Sequence, residues 1–350
     1  MAILNRTELA SALKIASRIA KTGVRPVLSC IRLWSNGNAV TLQATDLETW
    51  YTRLLSTTDE IDTILPAKLL NDIVQRSTSE EVEIKVATQR ATIKVGSAQY
   101  RTGVMDTGDW PSVEEKELFG VMVGEETLQS VIRKVATMCS KDEYRPALTG
   151  VHCVLRDGTL TFTATDGHRL ARLTVPSEGE WEGIIPQKAF GLAANYKGAT
   201  EIALGDGMTK LNNGKDWLTV RNVEGGFPDA ENIMNTEATY TITANREELL
   251  GALERMAFIG EVVEMRHTKE SMHLATSGDN GEAEETVSVV SEGEGSLGYN
   301  VKYLVDGLKA FESEDIALGI SGRTSPTLIT QVGGTPGYRY VLMPLRREEE

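Results

Sequence analysis

Cysteine is scarce: Cys30, Cys139 and Cys153 are the only three in 350 residues. They are odd in number and scattered, with no CxxC spacing, so neither a disulfide framework nor a zinc site is expected and a reducing cytoplasm is the natural compartment. No apolar run approaches the roughly 18 residues of a membrane helix, and the opening MAILNRTELA lacks the basic-then-apolar build of a signal peptide. Membrane association is therefore not expected. Catalytic signatures are missing too: there is no GxxxxGK[ST], no GxGxxG after a strand, no HExxH and no GxSxG. No cofactor and no metal are expected. Basic residues are in deficit, 36 Lys+Arg against 50 Asp+Glu for a net charge of -14, which on its face argues against a nucleic-acid partner. What remains is ordinary for a globular chain, 41% hydrophobic and 25% charged, and long enough for two or three domains.

The chain repeats itself. Arg25-Pro26-Val27-Leu28 returns as Arg145-Pro146-Ala147-Leu148, Ala44-Thr45-Asp46 as Ala164-Thr165-Asp166, and Ile64-Leu65-Pro66 as Ile184-Ile185-Pro186, each at an offset of 120. Trp110-Pro111 returns as Phe227-Pro228 after 117, and Asn5-Arg6-Thr7-Glu8-Leu9 as Asn245-Arg246-Glu247-Glu248-Leu249 after 240. Several matches in one register mean three duplicated domains, with boundaries expected at 1–119, 120–237 and 238–350.

Each repeat opens on an amphipathic helix. Leu9, Leu13, Ala16 and Ala20 make one apolar stripe, as do Leu128, Ile132, Val135 and Cys139, and Leu249, Leu253, Met256 and Gly260. Alternating strands around Asp-Gly and Asn-Gly turns follow, then a second helix after Pro66, Pro186 or Asn300, then more strands. The fold class is α+β, two helices per repeat packed on antiparallel sheets. The six expected helices (5–21, 66–77, 125–141, 186–197, 245–258 and 300–312) together carry +6, leaving -20 for the rest of the chain. Lys14, Arg18 and Lys21 share one helical face opposite the apolar stripe, and Lys134 and Lys141 echo them. Such faces suit a phosphate backbone, and they equally suit ordinary solvated helices.

One cluster resembles chemistry: Asp166-Gly167-His168-Arg169 puts an acid, a base and a cation together, and with Asp46 would suit a hydrolase or nuclease. Asp46, however, is followed by Leu47 and Glu48 with no histidine, so an Asp that accepts backbone N–H bonds in a turn explains both copies. No catalytic residue is assigned. His152 and Cys153 alternate across a strand, a poor metal site, and His267 and His273 have no ligand set near them.

Taken in order, Arg145-Pro146-Ala147-Leu148-Thr149-Gly150, Ala164-Thr165-Asp166-Gly167-His168-Arg169-Leu170, Gly226-Phe227-Pro228-Asp229 and Tyr340-Val341-Leu342-Met343-Pro344-Leu345-Arg346 resemble the bacterial sliding-clamp family, the beta subunits of DNA polymerase III. The resemblance spans the whole chain. It implies a non-catalytic processivity factor: a head-to-tail homodimer of three-domain subunits, a six-domain ring with sheets outside and helices lining a hole for double-stranded DNA. It implies the replicative polymerase catalytic subunit, the clamp loader and other clamp-motif proteins as partners, and a cytoplasmic protein that is nucleoid-associated when loaded on DNA. The implied DNA-facing residues are Lys14, Arg18, Lys21, Arg25, Lys68, Arg76, Arg133, Lys134, Lys188 and Lys197. The implied partner-peptide pocket takes Leu148, Thr165, His168, Arg169, Leu170, Pro228, Ile233, Val341, Leu342, Met343, Pro344, Leu345 and Arg346, many of which would also suit a core. Phe258 and Ile259 match an apolar pair between subunits, with ordinary core as the other reading. Two departures stand out. The chain runs on after Arg346 as Arg347-Glu348-Glu349-Glu350, beside the implied pocket, and residues 279–294 hold six acidic and no basic residues, expected as an exposed loop and strand. A non-ring, peptide-binding scaffold is the remaining alternative.

Overall fold

The computed structural model describes residues 1–21, 25–35, 37, 39–57, 59–112, 118–205, 207–333 and 337–345. The first repeat runs β1 (Ala2–Asn5), α1 (Arg6–Ile19), β2 (Cys30–Ser35), β3 (Val40–Thr45), β4 (Thr49–Leu55), β5 (Asp62–Pro66), α2 (Ala67–Gln75), β6 (Glu81–Ala87), β7 (Arg90–Val95) and β8 (Ala98–Gly103). The second repeats that order as β9 (Phe119–Val123), α3 (Glu125–Ser130), β10 (Gly150–Arg156), β11 (Thr159–Thr165), β12 (Arg169–Pro176), β13 (Trp181–Pro186), α4 (Gln187–Leu192), β14 (Thr200–Gly205), β15 (Met208–Asn212) and β16 (Asp216–Arg221). A short α5 (Ala230–Met234) leads to the third: β17 (Tyr240–Asn245), α6 (Arg246–Met256), β18 (Val262–His267), β19 (Ser271–Gly278), β20 (Gly281–Ser291), β21 (Gly295–Asn300), α7 (Val301–Lys309), β22 (Asp315–Ile320), β23 (Thr327–Gln331) and β24 (Tyr338–Leu342).

The opening helices are set by their first residues. Asn5 Oδ1 accepts from Glu8 N at 3.0 Å and Asn245 Oδ1 from Glu248 N at 3.1 Å, the same N-cap 240 residues apart. Leu9, Leu13 and Ala16 are buried as the stripe requires, and so are Leu249, Leu253 and Met256. Pro66 and Pro186 close strands β5 and β13 and stand one residue before their helices rather than at the first helical position. The second repeat's opening helix departs most. It is α-helical only to Ser130, then widens into a π turn over Val131–Val135 and tightens into a 3-10 turn over Ala136–Met138. Three β-branched residues in that turn (Val131, Ile132, Val135) weaken its α-helical preference.

By internal contacts the chain forms two compact units, residues 1–125 with 191–222 and residues 126–190 with 223–350. The first holds a four-stranded sheet, β1-β6-β7-β8, and an eight-stranded sheet, β5-β2-β3-β4-β16-β15-β14-β9. The second holds twelve strands in the order β13-β10-β11-β12-β24-β23-β22-β17-β20-β19-β18-β21. Among the described strands all pairings are antiparallel, some between consecutive strands joined as hairpins and others between strands distant in sequence, such as β1 with β6 and β2 with β5. In each unit the fourth strand of one repeat is laddered to the last strand of the next. Trp50 faces Thr219 across β4 and β16, and Leu170 faces Val341 across β12 and β24. The acidic stretch 279–294 is the tip and second strand of the β19–β20 hairpin, where Arg255 pairs with Glu285 and His273 lies 3.6 Å from Glu284.

Candidate functional site

The turn after β11 begins the site. Asp166 Oδ1 accepts from His168 N at 3.0 Å and Arg169 N at 3.1 Å, while its Oδ2 accepts from Arg169 Nε at 3.0 Å. The copy after β3 is built alike: Asp46 Oδ1 accepts from Glu48 N at 3.2 Å and Thr49 N at 2.8 Å. Gly167 takes a positive φ of 93°, and Leu47, at the same place in the first repeat, takes 75°, an uncommon conformation for a side chain of its size. Both carboxylates are committed to their turns. His168 stacks on Tyr303 at 6.2 Å between ring centres instead of meeting Asp166, so the acid–base pair that the sequence allows is not assembled. Among the described residues no group of three His, Cys, Asp or Glu side chains is placed to hold a metal ion.

Beside this turn an apolar cluster forms from Leu170, Ala230, Met234 and Val341, with Phe227, Ile233 and Leu328 packed on it. Its rim carries exposed His168, Pro228, Met343 and Leu345. Met343 is held in place by its N–H, which donates to His168 O at 2.9 Å. Arg169 is largely enclosed: it reaches Asp166 Oδ2 at 3.0 Å and Asp306 Oδ2 at 2.7 Å, and lies 4.3 Å over the Tyr303 ring. Burial opposes its charge, but the Asp306 hydrogen bond and the neighbouring acids outweigh that and keep it firmly protonated. Thr165 Oγ1 donates to Arg169 O at 2.6 Å, so this residue shapes the turn from below. Leu148, Leu342 and Pro344 are buried supports, and Arg346 lies outside the described residues. Sequence reasoning missed Phe227, Met234, Tyr303, Asp306 and Leu328. Tyr303 and Asp306 are three apart on α7, a spacing that puts them on one helical face.

On the other side of Phe227 lies a cavity of about 440 Å³, lined by His152, Arg172, Glu182, Pro228 and Glu231 among others. His152 stacks on Phe227 at 4.6 Å and its Nε2 lies 3.0 Å from Glu182 Oε1. Burial pushes the His152 imidazole below its ordinary value, against a smaller pull upward from Glu182.

The basic residues fare unequally. Lys14, Lys21, Arg25, Lys68 and Arg133 are exposed. Arg18 donates to Gly191 O at 3.2 Å, Arg76 pairs with Asp72 at 3.1 Å, Lys197 with Glu125 at 3.1 Å, and Lys188 is half-buried. Lys134 is drawn inward: its Nζ meets Glu312 at 2.7 Å and lies 5.9 Å from the centre of the Tyr338 ring, while the Tyr338 hydroxyl donates to Lys134 O at 3.2 Å. The sequence put Lys134 on the same helical face as Lys141, and the π turn is where that spacing breaks. Phe258, just past α6, is 78% exposed, which excludes the core reading for it, and Ile259 is half-buried.

The chain matches three family models in succession: the N-terminal domain of the DNA polymerase III beta subunit over residues 2–114, its central domain over 122–229 and its C-terminal domain over 231–346. Among curated proteins it is 28% identical to the beta sliding clamp of Synechocystis, covering 98% of both chains, and 26% identical to that of Pseudomonas aeruginosa, covering 95% of both. Among solved structures it resembles DNA polymerase III subunit beta of Pseudomonas aeruginosa with a TM-score of 0.91 at 25% identity, over 98% of this chain and 99% of that one. The Thermotoga maritima beta subunit aligns with a TM-score of 0.90 at 25% identity, over 99% of both.

Proposed function

The chain belongs to the DNA polymerase III beta-subunit family, and from that premise we propose that it is a sliding clamp, a non-catalytic processivity factor that encircles double-stranded DNA and tethers the replicative polymerase. Its three domains are taken as 1–119, 120–237 and 238–350, and its working form as a closed ring of two copies. The observation that carries this reading is a missing partner. β4 is completed by β16 and β12 by β24, the last strands of the following repeats. The equivalent strand of the third repeat, β20, pairs with β17 only over Val289–Ser291, and the last strand of the first repeat, β8, pairs only with β7 among the described residues. A second copy supplies the third junction head to tail, β20 of one chain against β8 of the next.

The chemistry of the two edges supports that pairing. β20 carries Glu282, Glu284 and Glu285, whereas β7 and β8 carry exposed Arg90, Lys94 and Arg101. Phe258 stands near the acidic hairpin, and beside β8 a groove lined by Ile73, Val95, Ala98 and Tyr100 offers it an apolar seat. Phe258 and Ile259 are thus the interface anchors.

Exposed Lys14, Arg18, Lys21, Arg25, Lys68, Arg76, Arg133 and Lys197, with half-buried Lys188, are proposed to face the phosphate backbone. Loose contacts suffice for a ring and carry no base information. The Leu170–Val341 cluster is the proposed seat for short motifs rich in Gln, Leu and Phe from the polymerase, the clamp loader and other partners. Among the described residues no helix is long and apolar enough to cross a membrane, and the proposed location is the cytoplasm, on the nucleoid when loaded. The test is topological: protein loaded on nicked circular DNA stays bound in high salt and runs off once the circle is cut. Equal loss from circle and line sinks the ring and leaves the non-ring scaffold.

A further inference from the structure

Asparagine followed by glycine occurs at Asn36, Asn213 and Asn280, and the first lies outside the described residues. The other two turn hairpins but are held differently. Asn213 is half-buried and its Oδ1 accepts from Lys215 N at 3.1 Å and Asp216 N at 2.8 Å, which fixes the side chain in its turn. Asn280 is exposed at the tip of the β19–β20 hairpin, and its carboxamide donates from Nδ2 to Phe258 O at 3.2 Å. Gly281 follows with a φ of 121° and open space where a Cβ would stand, so no side chain crowds the tip there. Below the tip, Gly278 and Gly260 bring the hairpin and the Phe258–Gly260 turn into backbone contact too close for any side chain at either position. The hairpin is therefore the support of the turn that presents Phe258.

We infer that Asn280 is a site of spontaneous deamidation and that its conversion loosens the Phe258–Ile259 contact, an inference whose second half rests on the dimer reading above. The deprotonated Gly281 nitrogen attacks Asn280 Cγ, a C–N bond forms, and the side-chain nitrogen leaves as ammonia to give a succinimide. Water then opens either ring carbonyl, to aspartate or to isoaspartate, so the net change is water in and ammonia out, with no redox partner. The product has lost the N–H donor to Phe258 O and places a carboxylate against that carbonyl, on a hairpin already bearing Asp279, Glu282, Glu284 and Glu285. Isoaspartate also adds a methylene to the main chain at the tip. Old clamps would then part more readily than new ones.

The test ages the full-length protein in mildly alkaline buffer and follows it by peptide mapping and by sedimentation. The Asn280 peptide is expected to gain about 1 Da well before the Asn213 peptide does. Equal rates, or an intact Asn280, overturn the site. The aged dimer is expected to dissociate about fivefold more readily than fresh protein, with Asn280→Asp reproducing the loss and aged Asn280→Gln, which keeps a carboxamide but cyclises slowly, escaping it. An aged dimer as tight as a fresh one, or Asn280→Gln ageing alike, overturns the coupling. Fresh protein that is already monomeric removes the dimer reading instead, while the mass measurement still decides the site.

Discussion

Arg53 on β4 and Asp216 on β16 form a buried ion pair across two repeats, Nη1 to Oδ1 at 3.1 Å, and the Tyr51 hydroxyl donates to the same oxygen at 2.5 Å. The ladder between those strands is thus reinforced by a charge pair whose side chains are about a tenth exposed. Burial and the Asp216 carboxylate both push the Tyr51 hydroxyl far above its ordinary value, so it serves only as a neutral donor. Asp216→Ala leaves Arg53 buried without its counter-charge, and a loss of about 3 kcal/mol is expected in urea unfolding. A loss under about 1 kcal/mol would show that water takes over the pairing.

Lys14 and Lys134 separate exposed from engaged lysines. Lys14→Ala is expected to reduce the salt dependence of DNA release by nearly one counterion for each contact removed. Lys134→Ala should leave that slope alone and instead lower unfolding stability, because it frees Glu312 and uncovers Tyr338. The reverse pattern would return Lys134 to the DNA-facing set.

Phe258→Asp with Ile259→Asp should yield monomers by light scattering while circular dichroism is unchanged, since Phe258 is already solvent-facing. A dimer that survives both charges would place the contact elsewhere.

Met343 is 38% exposed on the rim, while Val341 and Leu342 are buried in the ladder that closes β12. Met343→Asp is therefore the cleaner probe of the pocket than cutting the chain at Val341, which removes part of a strand. Binding of a fluorescent Gln/Leu/Phe motif peptide is expected to fall at least about tenfold with no change in melting temperature. Unaltered anisotropy titrations would move the pocket away from this rim.

His152 should titrate by NMR below an ordinary imidazole's 6.5, because burial disfavours its charged form. A depressed imidazole contributes stability above the unfolded-state value and loses it as the pH falls through 6.5 toward the folded value. His152→Gln should flatten that part of the stability curve. A midpoint above 6.5 would mean Glu182 controls the ring instead of burial.

Much of this was readable from nearby residues alone. Asn5 and Asn245 announce their helices, the Leu9–Leu13–Ala16 stripe is buried where its spacing puts it, and Asp46 and Asp166 make matching turns at an offset of 120. These features are local: a cap, a stripe and a turn each depend on residues within a few positions. The three repeats and the family they resemble were legible for the same reason, being written in runs of adjacent residues. Strand partners were not. That β4 ends on β16 and β12 on β24 depends on segments some 170 residues apart, and periodicity along one strand carries no record of its neighbour. The same holds for Met234, Tyr303 and Asp306 at the pocket and for the turn of Lys134 toward Glu312, which a regular helix would have aimed elsewhere. Sequence alone determined that the chain is a triplicated α+β protein without the signatures of an enzyme. Tertiary structure decided which strands close the sheets, which charges are engaged and which strands stand at sheet edges, because each of those is settled by contacts between distant parts of the chain.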